Sequence, residues 1–408
     1  MKRNVFILSA LVMLGGLTLK AQESFKDRLQ VNGFIQTEFE YTQWEGKSNN
    51  GKYQTYTDGI DNADKDYFLR YGVRRGGIRM AYIQGKIQGI FELDLNNGDI
   101  YPKAATINYR PWDFMEINAG LQTVWFGEEV PYSTPKQETL EHCEILRKLF
   151  PLDRDLGLKI SLYAPKESAF NGLKLDVGLV TGDGINLSSD GRLNFVGHLK
   201  YNNRINDIQF GIGTSLYAGT VSHVETKTYT YGEAGASYSE TKNVNKTLNR
   251  TYYGLDAQVK IPTSLGTTEI KGEYIFGNQV SQANSFSSPN GNEYTTGVFD
   301  TQRKFYGGYA YLFQDLGKLP LRVLLKYTHI TPDKDIKQKD LPEGELVAYN
   351  TFGIGCQWRI FKGLQLTALF DVNSNPSYNK ENILTADPYK YSYDRKDNHF
   401  TLRLQYEF

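Results

Sequence analysis

The chain has 408 residues with 46 basic and 46 acidic side chains, so its formal net charge is 0. That balance gives no electrostatic reason to expect a nucleic-acid partner, and two cysteines, Cys143 and Cys356, make no disulfide framework in so long a chain. Aromatic residues make up 13% of the chain, with 29 Tyr and 22 Phe beside 39 Gly. This suits a β protein with aromatic girdles and tight turns, although a secreted sandwich or β-helix shares the composition.

Taken in chain order, Lys2 and Arg3 open a basic stretch, Val5 to Leu19 is almost wholly apolar, and Ala21 is a small residue placed for cleavage before Gln22. Residues 1–21 are therefore expected to be a secretory signal peptide, and 22–408 a single barrel domain. No Cys follows the apolar run, so no lipid anchor is expected at the new N-terminus. Losing Lys2, Arg3 and Lys20 takes the formal net charge from 0 to −3. No later run is long and apolar enough for a transmembrane helix. A membrane barrel stays open, because alternating lipid-facing and lumen-facing residues average to a soluble-looking hydropathy.

The mature sequence reads in period two almost throughout. Leu29, Val31, Ile35, Phe39 and Tyr41 alternate with Gln30, Asn32, Gln36, Glu38 and Glu40, the mark of a strand with one apolar and one wet face. The last segment repeats this, with Phe400, Leu402, Leu404, Tyr406 and Phe408 on one side and Thr401, Arg403, Gln405 and Glu407 on the other. About sixteen such segments are read, in the first half near 28–41, 69–83, 86–95, 104–110, 114–122, 155–164, 173–181 and 193–201. The second half supplies 205–219, 251–261, 267–278, 304–313, 320–329, 349–360, 364–373 and 399–408.

Their connections alternate in length. Short links fall at 84–85, 111–113, 165–172, 202–203, 262–266, 314–319 and 361–363. Long polar stretches fall at 42–66, 123–153, 220–250, 279–303, 330–348 and 374–398, with 96–103 ambiguous. An even strand count with short turns at one end and long loops at the other is the plan of a bacterial membrane barrel. The expected fold is all-β: a transmembrane antiparallel up-and-down barrel of about sixteen strands, wide enough for an aqueous lumen, in the cell outer membrane.

The stretch 123–153 is the most structured-looking connection, with Pro131, Pro135 and a helix-compatible run from Lys136 to Leu149. A connection of this length is often functional. It is expected to fold inward as the third external loop and narrow the lumen; the competing reading is a surface loop with one helical turn. It carries Glu128, Glu129, Glu138, Glu141, Glu144 and Asp153 against Lys136, Arg147 and Lys148. The constriction candidates are Arg75, Arg79, Lys136, Arg147, Lys148, Arg154, Glu128 and Glu138. Opposite charges on facing walls would orient solutes without strongly rejecting either sign.

Asn118-Ala119-Gly120-Leu121-Gln122-Thr123-Val124-Trp125-Phe126-Gly127-Glu128 resembles the strand-to-loop segment of the phosphate-selective porin O and P family. Arg154-Asp155-Leu156-Gly157, Thr181-Gly182-Asp183-Gly184-Ile185-Asn186 with Asp190, and Arg74-Arg75 are similar to further parts of that family, best over 70–200. The resemblance implies a sixteen-stranded homotrimeric porin: a passive channel for small hydrophilic solutes, anions such as phosphate among them, with a third loop constricting each pore. The acidic content of 123–153 departs from an anion-selective lumen.

Signals for catalysis are poor. No Gly-x-Ser-x-Gly, His-Glu-x-x-His or P-loop pattern occurs, and His142, His198, His223, His329 and His399 show no ligand spacing. Asp58, Asp61, Asp64 and Asp66 lack EF-hand spacing and read as a solvated loop. No enzyme activity, metal or cofactor is expected; the expected partners are small solutes, outer-membrane lipid and other copies of the chain. The alternatives are an outer-membrane barrel hydrolase and a non-conducting adhesion or scaffold barrel.

Overall fold

A computed structural model describes residues 28–43, 67–96, 99–186, 191–222, 227–232, 235–240, 247–282, 286–288, 300–335, 348–374 and 397–408. The expected signal peptide, the run Asp58–Asp66 and most of the long loops lie outside these residues. The first half contributes β1 (Leu29–Gln43), β2 (Tyr67–Gln84), β3 (Ile87–Asn96), β4 (Asp99–Trp112), β5 (Met115–Thr123), β6 (Arg154–Tyr163), β7 (Leu173–Val180), β8 (Asn194–Ile205) and β9 (Ile208–Ser222). A small hairpin follows, β10 (Lys227–Gly232) and β11 (Gly235–Glu240). The second half contributes β12 (Thr247–Thr263), β13 (Gly266–Gln282), β14 (Asp300–Asp315), β15 (Leu321–Thr331), β16 (Tyr349–Phe361), β17 (Leu364–Ser374) and β18 (His399–Glu407).

Each strand pairs antiparallel with its sequence neighbour, β9 pairs directly with β12, and β18 returns to β1. The closing register runs from Phe34 opposite Glu407 to Thr42 opposite His399. The result is a closed sixteen-strand up-and-down barrel, with the β10–β11 hairpin outside the ring. That hairpin touches the ring through a short parallel pairing to β14, Thr228 opposite Asp300. It falls within the stretch 220–250 read above as loop. All sixteen expected strands are present, and of the ambiguous stretch 96–103, Asn96 ends β3 and 99–103 open β4.

Period two in sequence becomes inside and outside in space. Gln36, Glu38 and Glu40 are buried in the barrel, while Val31 and Ile35 stand exposed on its outer face. Outward neighbours Leu325, Ile354 and Phe370 come from three adjacent strands and form one apolar band. Aromatic pairs cap the band at both ends: Trp112 stacks on Phe114 at 5.6 Å, and Tyr41 on Tyr67 at 5.4 Å. Such girdles sit where hydrocarbon meets headgroups. Tight turns need a left-handed residue, and Gly363 supplies it at φ 89°; a Cβ there would also come within 2.5 Å of the Glu407 carbonyl oxygen. No described helix is long and apolar enough to cross a membrane.

Two bulges break the alternation to a common effect. Gln36 faces Arg75 while Thr37 faces Val73, so Arg74 is an extra residue and both arginines of the pair turn inward. Glu92 faces Ala104 while Leu93 faces Pro102, leaving Lys103 as the extra residue, and it too is buried inside. Each bulge thus adds one cation to the inner wall.

The interior is not polar all round. Phe305, Tyr309, Tyr311 and Phe313 of β14 all point inward and are buried with Tyr217 of β9 and Tyr252 of β12. One side of the barrel thus holds a buried aromatic core. The alternation did not reveal it, because the outward positions of β14 include Tyr306 and Leu312, leaving no polarity contrast.

A charge placed on the lipid face at mid-membrane costs about 2–4 kcal/mol for Lys. Ile354→Lys is therefore expected to lower the yield of heat-resistant barrel on gel electrophoresis, whereas Gln88→Lys, on a half-buried inward position, should not; equal losses would count against the assignment of faces. The turn and loop ends should also differ in access. Cysteine introduced at exposed Arg192, between β7 and β8, should react with an impermeant thiol reagent on intact cells above the parent background. Cysteine at Lys362, in the turn between β16 and β17, should react only after the outer membrane is permeabilised; the reverse result would invert the topology.

Candidate functional site

Between β5 and β6 the chain makes one long excursion, residues 124–153, held at its base by the Val124 N–H donating to the Asp153 carbonyl at 3.1 Å. Its structure is less helical than the sequence suggests. Of the run Lys136–Leu149, only Glu144–Leu149 forms an α-helix, α1, preceded by a short 3₁₀ turn at Thr134–Lys136. Leu140 at φ 69° interrupts the run in the left-handed region, and Leu152 (φ 70°) and Asp153 (φ 59°) repeat this at its end. Such conformations cost on the order of 1–3 kcal/mol each and persist only where surrounding contacts fix them.

Those contacts come from the inner wall, strand after strand. The Trp125 indole N–H donates to the Val196 carbonyl of β8 at 3.0 Å, and the Gly127 N–H to Ser215 Oγ of β9 at 2.8 Å. Gly127, at φ 64°, lies so close to Glu273 of β13 that a Cβ would come within 1.8 Å of its Oε1. Gln357 of β16 and Gln405 of β18 donate to the carbonyls of Glu138 (2.9 Å) and Pro135 (2.8 Å). Arg403 of β18 donates to the Leu140 carbonyl at 2.6 Å.

The apolar half of the excursion packs on the aromatic wall. Phe150 meets Phe126 at 5.2 Å and Tyr252 edge-on at 5.7 Å, while Tyr217 stacks on Tyr252 at 5.1 Å. Ile145, Leu146 and Leu149 of α1 are buried in the same cluster. The charged half engages wall cations. Glu128 pairs with Lys200, Glu138 with Lys271 (2.5 Å) and Arg322 (2.9 Å), and Glu141 with Arg74 (3.0 Å) and Arg403 (2.6 Å).

Among the constriction candidates, Glu128 and Glu138 of the excursion each reach wall cations of their own, and Arg75 of the wall reaches the excursion, donating to Thr134 Oγ1 at 3.3 Å. Arg79 instead pairs with Glu92 of the next strand at 3.8 Å. Arg147 and Lys148 pair with Glu144 of their own helix. Arg154 is buried at the start of β6, and Lys136 is exposed. Sequence reasoning passed over Arg74, Lys103, Lys271 and Glu141 as site residues. Arg74 and Lys103 required the bulges, and no residue pattern separates Glu141 from the other acidic residues around it.

His142 ties the excursion together. Its Nε2 lies 3.2 Å from Asp153 Oδ2 and its Nδ1 3.6 Å from Glu129 Oε1. Burial by itself would lower the imidazole pKa; the two carboxylates outweigh it and raise the value to about 9. Burial likewise works to raise Asp153, and the facing imidazolium overrides it, holding the carboxyl at about 2.

No family model matches the chain, and neither does any curated protein sequence. Solved structures do share its fold. OprB of Pseudomonas putida, in a high-pH structure, superposes with a TM-score of 0.57 at 9% identity, over 97% of each chain. The outer membrane channel DcaP of Acinetobacter baumannii gives 0.56 at 13%, over 93% of this chain and 97% of that one. An anion-selective porin from Comamonas acidovorans gives 0.52 at 13%, over 93% of this chain and 99% of that one. At such identities the likeness is one of fold. The chain is a membrane-embedded β-barrel of the architecture found in the cell outer membrane.

Because the His142 pKa is raised above its usual 6.5, the charged imidazole stabilises the folded excursion fully below that value, and the contribution is lost as pH rises through about 9. Proteolysis within 124–153 in detergent should therefore be slow and flat below pH 6.5 and accelerate toward pH 9. His142→Asn, which cannot be protonated, should show no acceleration across that window. An identical pH profile in the variant would remove His142 from the account.

Proposed function

We propose that this chain is an outer-membrane porin, a passive diffusion channel for small hydrophilic solutes, small anions such as phosphate among them. In this reading it is not an enzyme, it assembles as a homotrimer, and residues 124–153 form the constriction. One observation carries the reading. The excursion engages inward-facing residues on both sides of a closed ring: Arg74, Arg75, Lys103 and Arg403 on one, and Lys200, Ser215, Glu273 and Tyr311 on the other. A segment with that reach in a sixteen-strand barrel has to cross the lumen, where water and solute pass closest to its charges. The likeness of 118–128 and 154–157 to the phosphate-selective porin O and P family supports the same reading.

Among the described residues, a hydrolase reading can stand on one set. Ser215 pairs in register with His198, whose Nε2 lies 3.1 Å from Asp256 Oδ2. The Ser215 hydroxyl, however, is already engaged by Gly127, and all three side chains are buried beneath the excursion. No acyl substrate reaches them in this arrangement, so the channel reading stands ahead.

Recording in planar bilayers tests the proposal. The parent chain should give discrete conductance steps, and deleting Lys136–Arg147 should enlarge them while the barrel stays heat-resistant. A parent that never conducts would overturn the channel; unchanged steps after the deletion would put the excursion outside the permeation path.

A further inference from the structure

The crossing segment carries more than steric bulk, since its carboxylates sit directly on the cations of the wall. Around Glu141 gather Arg74 and Arg75 of β2 and Arg403 of β18, at 3.0, 3.9 and 2.6 Å. Glu38 of β1 joins this group from the wall, at 2.8 Å from Arg403 and 3.7 Å from Arg74. Glu38 and Glu141 thus lie within salt-bridge range of these guanidiniums, with Asp94 and Asp153 acting on Arg75 from farther off, so losing Glu141 removes one of these two close counter-charges.

Elsewhere the balance is better buffered. Lys271 and Arg322, the partners of Glu138, share their wall with Glu269, which also pairs with Lys260 at 3.1 Å. Glu128 covers a single cation, Lys200. These contacts are half-buried or buried, where salt screens little. Arg75, with 15% of its side chain accessible, keeps the arginine group in touch with solvent.

We propose that Glu141 is the specificity-determining residue of the channel: its carboxylate masks the arginine group of β2 and β18, and its loss turns the pore toward anions. The proposal rests on the channel reading given above. It accounts for how the wall carries the extra arginine that its first bulge turns inward: Glu38 of β1 supplies part of the counter-charge and Glu141 of the segment the rest, whereas Lys103, from the second bulge, is met by Asp94 of β3 at 3.5 Å.

The test uses the full chain in planar bilayers under a potassium chloride gradient. Glu141→Gln keeps the shape of the side chain and removes its charge. The chloride-to-potassium permeability ratio should rise roughly twofold or more while conductance changes little. Adding Arg75→Gln to that variant should bring the ratio back toward the parent. Arg75→Gln alone, at the least buried of the three arginines, should shift the ratio toward potassium, and it serves if Glu141→Gln does not fold. A ratio unmoved in these variants overturns the proposal, as does a larger conductance at constant ratio, which would mean that Glu141 only holds the segment in place. A parent that forms no channel sinks the channel reading itself, whereas a conducting parent whose ratio ignores Glu141 sinks this inference alone.

Discussion

In a hydrocarbon layer no water is available to satisfy a backbone N–H or C=O, and each one left unpaired costs several kcal/mol. A sheet with free edges cannot live there. The pairing of β18 with β1 is therefore the interaction on which the rest of the molecule depends. Once the ring is closed, every strand residue must face either inside or outside, and the outer face has to offer the lipid mainly apolar side chains. Ile354, Leu325 and Phe370 hold their places for that reason.

Closure also creates a difficulty inside. A sixteen-strand ring is too wide for its own side chains to fill, so whatever occupies the interior has to come from elsewhere in the chain. The excursion between β5 and β6 meets this need asymmetrically. On the side of β9 and β12–β14 it brings Phe126, Phe150 and α1 to an aromatic wall and forms a dry core. On the side of β1, β2 and β18 it brings carboxylates to arginines. The dry contact gives the segment a rigid seat, and the ionic contact fixes its charged edge. His142, between Glu129 and Asp153, joins the beginning, middle and end of the same excursion.

The bulges at Arg74 and Lys103 show how small backbone irregularities acquire consequences in a barrel. In a regular strand one of two consecutive residues must face lipid, where a guanidinium would be costly. The extra residue shifts the phase, so that Arg74 and Arg75 both turn inward. A pair that looks incompatible with a membrane strand thus becomes part of the inner wall.

The strands themselves were legible in the sequence because their cause is local. Lipid on one face and water or protein on the other impose alternation residue by residue, and strands such as Leu29–Gln43 and His399–Glu407 carry it plainly. The excursion at 123–153 stood out by its length and its prolines. Its helix was overestimated, because wall contacts at Gln357 and Arg403 hold Glu138 and Leu140 in non-helical backbone. The aromatic inner face of β14 was hidden because its two faces resemble each other in composition. The grouping of Glu141 with Arg74, Arg75 and Arg403 joins residues as many as 329 positions apart in number (74 to 403), and no local pattern encodes it. The sequence alone determined which stretches cross the membrane and, outside the bulges and β14, which face a residue shows, since alternation is a property of neighbours. Only the closed tertiary structure decided which inward charges meet and which are cancelled, since that depends on where the ring brings distant strands around one segment.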